Sequence, residues 1–150
     1  MKVKIANAET PVEIARCYEV MRELRPHIAT VEDFAAQVER QGEQGYLLAY
    51  LEAEQEVRAV AGYRYTEMLF HGRLMYVDDL VTREVDRSAG HGGQLFDWLV
   101  EQARARGCRH LELDSGVQRF EAHRFYLMKR MKISSHHFSL PVSAPVCARS

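Results

Sequence analysis

The apolar positions change period several times along the chain, and each change predicts an element. Val3 to Ala6 is a short apolar opening that reads as a strand. Thr10-Pro11 follows, an N-cap residue and then proline at the first helical position, so a helix should begin there. Ile14, Cys17, Tyr18, Met21 and Leu24 recur at intervals of three and four and give that helix one apolar face, ending near Pro26. Thr30 or Glu32 should start a second helix with Phe34 and Val38 inward. After a turn at Gly42 to Gly45, the runs Tyr46 to Leu51 and Val57 to Met68 are rich in aromatic and branched residues and are separated by the polar Glu52 to Glu56, which predicts a hairpin. Leu74 to Thr82 comes after His71-Gly72 and should add a third antiparallel strand, since so short a turn allows no crossover.

Beyond Thr82 the period returns to that of a helix. Leu95, Phe96, Leu99, Val100 and Ala103 share a face, Gly107 is a natural helix stop, and Leu111 to Leu113 is a short strand. A strand, loop, helix and strand in that order should bring the last strand in parallel. Glu121 to Lys129 predicts another helix, with Ala122, Phe125 and Tyr126 on one stripe, and Ile133 to Val142 has the length and content of a final strand. The class is α+β. With 150 residues, and no repeat or linker-like stretch, one domain spanning 1–150 is expected.

Composition narrows the function little. A formal net charge of −1 gives no bulk reason for nucleic acid or a membrane surface as partner. The N-terminal Met1 to Ile5 lacks the apolar stretch of a secretory signal and no run has membrane-spanning length, so a cytoplasmic protein is expected. Cys17, Cys108 and Cys147 are odd in number and irregularly spaced, which fits reduced thiols. The tandem His136-His137 would point to opposite sides of a strand, and no metal site is expected.

The informative stretch is Asp78 to Leu95, where a strand runs into a glycine-containing loop and then a helix. The amides of such a loop and of the first helical turn converge on an anion, here expected to be a phosphate. Gly90, Gly92 and Gly93 remove Cβ atoms where a pyrophosphate would approach, and Arg87 can add a charge-assisted bond. A nucleoside-triphosphatase loop would need Gly-Lys-Ser/Thr, but Gln94-Leu95 follows Gly93. A dinucleotide fingerprint would need a third glycine where Leu95 stands.

Arg87-x-x-Gly90-x-Gly92 resembles the coenzyme A pyrophosphate loop of the GNAT superfamily of acyltransferases. There, too, the loop follows a strand ending in a Leu-x-Val-like triplet, here Leu80-Val81-Thr82, and a later helix carries Ala-x-x-Phe-Tyr, here Ala122 to Tyr126. Leu113 to Gly116 with Ala122-His123 looks like the subset that includes aminoalkylphosphonate N-acetyltransferases. Two positions depart from the pattern: Arg119 stands where the family often has asparagine, and Arg130-Met131 where it often has Gly-Phe. The resemblance covers about Tyr76 to Phe138. It implies the GNAT fold, a mixed, mostly antiparallel sheet flanked by helices. It also implies acetyl-CoA as co-substrate, transfer of the acetyl group to the amine of a small molecule, and a homodimer. Leu80, Val81 and Thr82 would offer a backbone edge to the pantetheine arm, and Arg87, Ser88, Ala89, Gly90, His91, Gly92 and Gly93 would hold the pyrophosphate.

Transfer from a thioester needs a base for the amine, polarisation of the carbonyl and a proton donor for the thiolate. The resemblance gives the donor role to Tyr126. Asp78, Asp79 and His123 are candidate bases; the two aspartates are adjacent, so on a strand they face opposite ways and at most one points into a given cleft. His123 precedes Tyr126 by one helical turn and can share its face. Arg22, Arg25 and His27 could contact an anionic acceptor. Two other readings stand beside this one: a non-catalytic acyl-CoA-binding regulatory module, and an acetyltransferase that modifies proteins.

Overall fold

Strands buried on both faces need apolar residues at nearly every position, and the central strands of this chain have them. In the computed structural model, which describes residues 2–143, β1 (Val3–Asn7), β2 (Leu47–Ala53), β3 (Glu56–Met68), β4 (Gly72–Thr82) and β5 (His110–Leu113) form one sheet in sequential order. The first four are antiparallel to their neighbours and β5 runs parallel to β4. Along β2, Leu48 and Tyr50 belong to one apolar cluster, and Ala49 and Leu51 to the other. The first cluster packs under α1 (Pro11–Arg16), α2 (Tyr18–Leu24) and α3 (Val31–Gly42), through Cys17, Tyr18, Met21 and Phe34. The second lies under α4 (His91–Ala105), where Leu95 and Leu99 meet Ala49, Ala59 and Ala61. This five-stranded mixed sheet with flanking helices is the GNAT fold expected from the sequence.

Local chemistry sets the element ends. Thr10 caps α1 through a reciprocal capping box with Glu13, and Thr30 caps α3 by accepting from the amide of Asp33. Glu54 and Gln55 both take positive φ in the two-residue turn from β2 to β3, the backbone twist that a tight hairpin requires. Gly107, also at positive φ, ends the chain's run through α4.

Two register shifts interrupt the sheet. Arg58 is an extra residue on β3, because Leu51 pairs with Ala59 while Glu52 pairs with Val57. Asp78 is an extra residue on β4, because Gly62 pairs with Asp79 while Tyr63 pairs with Val77. Each bulge exchanges the faces of the residues that follow. On β3, Val57 and then Val60 lie in the helix α1–α3 cluster; on β4, Val77 lies in the α4 cluster and Val81 in the other.

The chain divides into two compact units at Leu113–Asp114. The second unit holds α5 (Phe120–Met128). Two expectations are corrected. The helix foreseen from Pro11 to Leu24 is two helices broken at Cys17, where the backbone amide bonds back to Ile14 three residues earlier and the thiol donates to the Glu13 carbonyl. The final strand foreseen at Ile133 to Val142 does not form: residues 131–142 carry no regular element, and Ile133, Phe138, Leu140 and Val142 are exposed. Branched and aromatic content favours a strand only where a ladder partner exists; no strand among the described residues pairs with this run, and Pro141 has no amide to donate. Cys147 lies outside the described residues. Among the described residues no helix is long and apolar enough to cross a membrane.

The centre of the α4 face is Leu99, whose side chain is fully buried. Leu99→Ala should lower unfolding free energy by about 2–5 kcal/mol through lost burial and the cavity left behind. Urea unfolding followed by circular dichroism checks it.

Candidate active site

The bulge at Asp78 creates a cleft that a regular strand would not have. Asp78 follows Tyr76 on the face toward α2 and α3, and because the register then slips, Asp79 falls on the same face. Both line a cavity of about 350 Å³ with Arg25, His27, Tyr46 and Tyr76. The expectation that only one aspartate would enter a given cleft is therefore corrected, and the extra residue is the reason.

Each carboxylate in the cleft is tied down. Asp79 accepts from the Arg25 Nε at 2.8 Å on one oxygen and from the Tyr46 hydroxyl at 2.8 Å on the other. Arg25 also donates to the Asp78 carbonyl at 2.9 Å, clamping the bulge itself. Arg64 holds the Asp78 carboxylate with two bonds, at 3.1 and 2.7 Å, the fork geometry that fixes a planar pair. Burial pushes the Tyr46 phenol far above its ordinary value and the Asp79 charge pushes it further, so Tyr46 stays a neutral donor. The arginine that the sequence offered for an anionic acceptor is thus bonded to Asp79, while Arg22 pairs with Glu19 and only His27 faces the cleft without such a bond. Tyr46 and Arg64 carry no motif and were not foreseen.

Beyond the bulge β4 has one open edge. Its pairing with β5 covers Leu74 to Val77 only, so Asp78 to Thr82, including Leu80 and Val81, have β3 on one side and no strand partner on the other among the described residues. The chain then makes a single 3-10 turn, Glu84–Asp86, and enters the glycine loop. The turn is anchored by Asp86, which takes Arg83 at 2.6 Å and the bulged Arg58 at 2.9 Å. The Glu84 amide donates to Glu23 at 2.8 Å.

In the loop, Arg87, Ser88, Ala89 and Gly90 are exposed. Ser88 and Gly90 adopt positive φ, and Gly90 is the N-cap of α4. No side chain caps this helix and its first turn has no acidic residue. The Arg87 guanidinium has no partner among the described residues, whereas Arg58 and Arg83 are both bound. The glycines divide their work. A Cβ on Gly90 would meet nothing within 4 Å, but one on Gly92 would stand 2.7 Å from Thr82 Oγ1, so Gly92 lets the helix start close against the end of β4. Gly93 lies within the first turn of α4. His91 is buried and its Nδ1 has no partner, an orphaned nitrogen at the mouth of the helix.

In the second unit, His123 Nε2 lies 2.7 Å from the Gly116 carbonyl and therefore carries its proton there. Tyr126 sits one turn further along α5; burial raises its phenol above the ordinary value, against the opposing effect of Arg119. Arg119, in the position where asparagine was expected, occupies the N-cap of α5 without a side-chain capping bond.

The profile of the acetyltransferase (GNAT) family matches residues 12–131. The uncharacterized N-acetyltransferase YhdJ of Bacillus subtilis (strain 168) is 34% identical over 132 residues, 87% of this chain and 92% of that protein. The aminoalkylphosphonate N-acetyltransferase of Salmonella typhimurium (strain LT2) is 36% identical over 63 residues, 42% of this chain and 41% of that one. Among solved structures, aminoglycoside N-acetyltransferase AAC(6')-Iy in complex with CoA superposes with a TM-score of 0.80 at 10% identity, over 95% of this chain and 96% of that one, a likeness of fold.

Hydrogen bonds from Arg83, and then Arg58, hold the Asp86 carboxyl below its ordinary value. A lowered folded pKa adds stability above the unfolded value of about 3.9, and that stability is lost as pH falls through the folded pKa. The stability gap between the parent and Asp86→Asn should thus be widest near neutrality and shrink below about pH 4, as denaturant midpoints across pH will show. Gly62→Ala would put a methyl 1.8 Å from the Tyr46 hydroxyl and 2.6 Å from Asp79 Oδ2. It should cost about 1–3 kcal/mol of stability in urea unfolding, as overpacking does.

Proposed function

As the chain belongs to the GNAT acetyltransferase family, we propose that it transfers an acetyl group from acetyl-CoA to the amine of a small molecule. The observation that carries this reading is the pairing of an open strand edge, Asp78 to Thr82, with an uncapped helix N-terminus directly after it. The edge of Leu80, Val81 and Thr82 supplies backbone groups for an extended pantetheine arm. Arg87, Ser88, Ala89, Gly90, His91, Gly92 and Gly93 supply backbone amides and an unpaired guanidinium for a pyrophosphate. The donor set fits an anion of that kind.

The neutral amine nitrogen forms a bond to the thioester carbonyl carbon, the nitrogen's surplus proton leaves and makes good the one given to sulfur, the carbon–sulfur bond breaks, and the sulfur leaves as a thiolate. Tyr126 is the residue this reading assigns to protonate it, supported by the Ala122 to Tyr126 match and by a phenol kept protonated through burial. The ammonium must first lose a proton. Asp78 and Asp79, which both line the cleft, are the carboxylates this reading offers for that, directly or through water, each held in orientation by hydrogen bonds to both its oxygens. His123 retains only Nδ1 as an acceptor and is the weaker candidate.

A cleft of about 350 Å³ suits a small acceptor. The aminoalkylphosphonate enzyme's partial match supports an acceptor of small size without naming it. Cytoplasmic location and a homodimer complete the proposal, and the exposed Ile133, Phe138, Leu140 and Val142 support a surface that a second copy covers.

Calorimetric titration tests the cofactor step. Acetyl-CoA should bind the parent protein, and Gly90→Glu should abolish binding by placing a carboxylate where the pyrophosphate belongs. Tyr126→Phe should lower kcat by about 10²-fold with a small change in KM, read as CoA release across an amine panel. No binding by the folded parent would sink the assignment.

A further inference from the structure

Among the described residues, the histidines that come together are not the tandem His136-His137 but His71 and His110. His71 ends the connection between β3 and β4. His110 and Glu112 are alternate residues of β5, so both project from the same face of that strand. The parallel register, Leu74 opposite His110 and Tyr76 opposite Glu112, brings them beside the hairpin end. The His71 Nδ1 contacts the Glu112 carboxylate. The His71 and His110 rings stack with centroids 3.9 Å apart and planes 18° apart. One donor atom from each of the three residues lies within 4.8 Å of the other two.

We propose that His71, His110 and Glu112 form a binding site for a divalent transition-metal ion. Two imidazoles and a carboxylate suit zinc, nickel, cobalt or copper, and not the all-oxygen shells of magnesium or calcium. Donors around a tetrahedral ion at metal–ligand distances near 2.0–2.1 Å stand about 3.3 Å apart, so the His71–Glu112 contact has to open to admit the ion while donors up to 4.8 Å apart close on it. Stacked rings do not aim their in-plane lone pairs at one point, and binding requires the stack to open. His110 is the exposed member of the three and is free to turn, while Phe70, stacked on His71 at 4.1 Å, holds the other ring. Three protein ligands leave a fourth position for water.

Asp78 lies seven residues along the chain from His71. None of the three ligands lines the cleft, although Glu112 stands opposite Tyr76, which does. An ion here would be held at the hairpin end of the sheet by residues outside the cleft lining. It would pin the β3–β4 hairpin to β5, the strand at the end of the sheet order, which is four residues long.

The test uses the full chain after treatment with a chelator. Zinc chloride titrated by calorimetry should show one ion per chain with micromolar or tighter affinity, and should raise the melting temperature. Cobalt(II) should give the visible absorption of a tetrahedral ion. His110→Ala and Glu112→Gln should each weaken zinc binding by at least about ten-fold and remove the melting shift, whereas His136→Ala with His137→Ala should leave both. His110 is exposed, so its variant keeps the fold and decides the matter if Glu112→Gln does not. No binding by the parent up to millimolar zinc, or binding that survives His110→Ala, would overturn the proposal.

Discussion

A strand with one residue too many cannot pair without turning, and the candidate active site depends on that constraint at Asp78. The bulge changes which residues of β4 face the helices, so Asp78 and Asp79 share a cleft although they are neighbours in sequence. It also coincides with the end of the β4–β5 ladder at Val77, beyond which the edge of β4 is open. Such a kink needs support. Arg25 binds the carbonyl of the extra residue and the carboxylate of the next, and Gly62, with no side chain, leaves the space in which Tyr46 reaches Asp79.

The second bulge works on the same principle at the other side of β3. Arg58 has no partner on β2, its carbonyl accepts from the Arg83 amide at 2.8 Å, and its side chain joins that of Arg83 at Asp86, so the short turn before the glycine loop is anchored to the sheet. The Arg58 side chain and that of Asp86 are each about one-tenth exposed, so salt screens this pairing less than one in open solvent. Arg87, a few residues on, has no such engagement. Of the arginines close to the loop, two set its position and Arg87 takes no part in that anchoring.

Most elements were legible because periodicity reports burial, and burial here follows ordinary rules. Thr10-Pro11, Thr30 and Gly107 marked helix ends through local chemistry that does not depend on the rest of the chain. What could not be read depends on register. The shared cleft of the two aspartates follows from a slip between β3 and β4, for which the available signal was a lone glycine, Gly62, inside an apolar strand. The partners of Asp79 come from three distant segments, and no spacing rule joins Tyr46, Arg25 and Gly62. The grouping of His71 with His110 and Glu112 likewise rests on the parallel pairing of β5. At Ile133 to Val142 composition suggested a strand, yet strand propensity describes a side chain that suits a sheet and does not supply the neighbouring strand. The missing Cβ of Gly92 accommodates Thr82, while the open space lies at Gly90.

The alanines beneath α4 have a consequence for how such a protein can be tuned. Ala49, Ala59 and Ala61 make the floor on which Leu95 and Leu99 rest, so the height of the helix above the sheet is set by methyl groups. The same helix begins at Gly90, with its first amides fixed to it as a rigid body. A single added methylene in that floor would lift the helix and shift those amides relative to the edge of β4. The geometry of the helix start can thus drift through changes wholly inside the core, leaving every residue of the loop as it was.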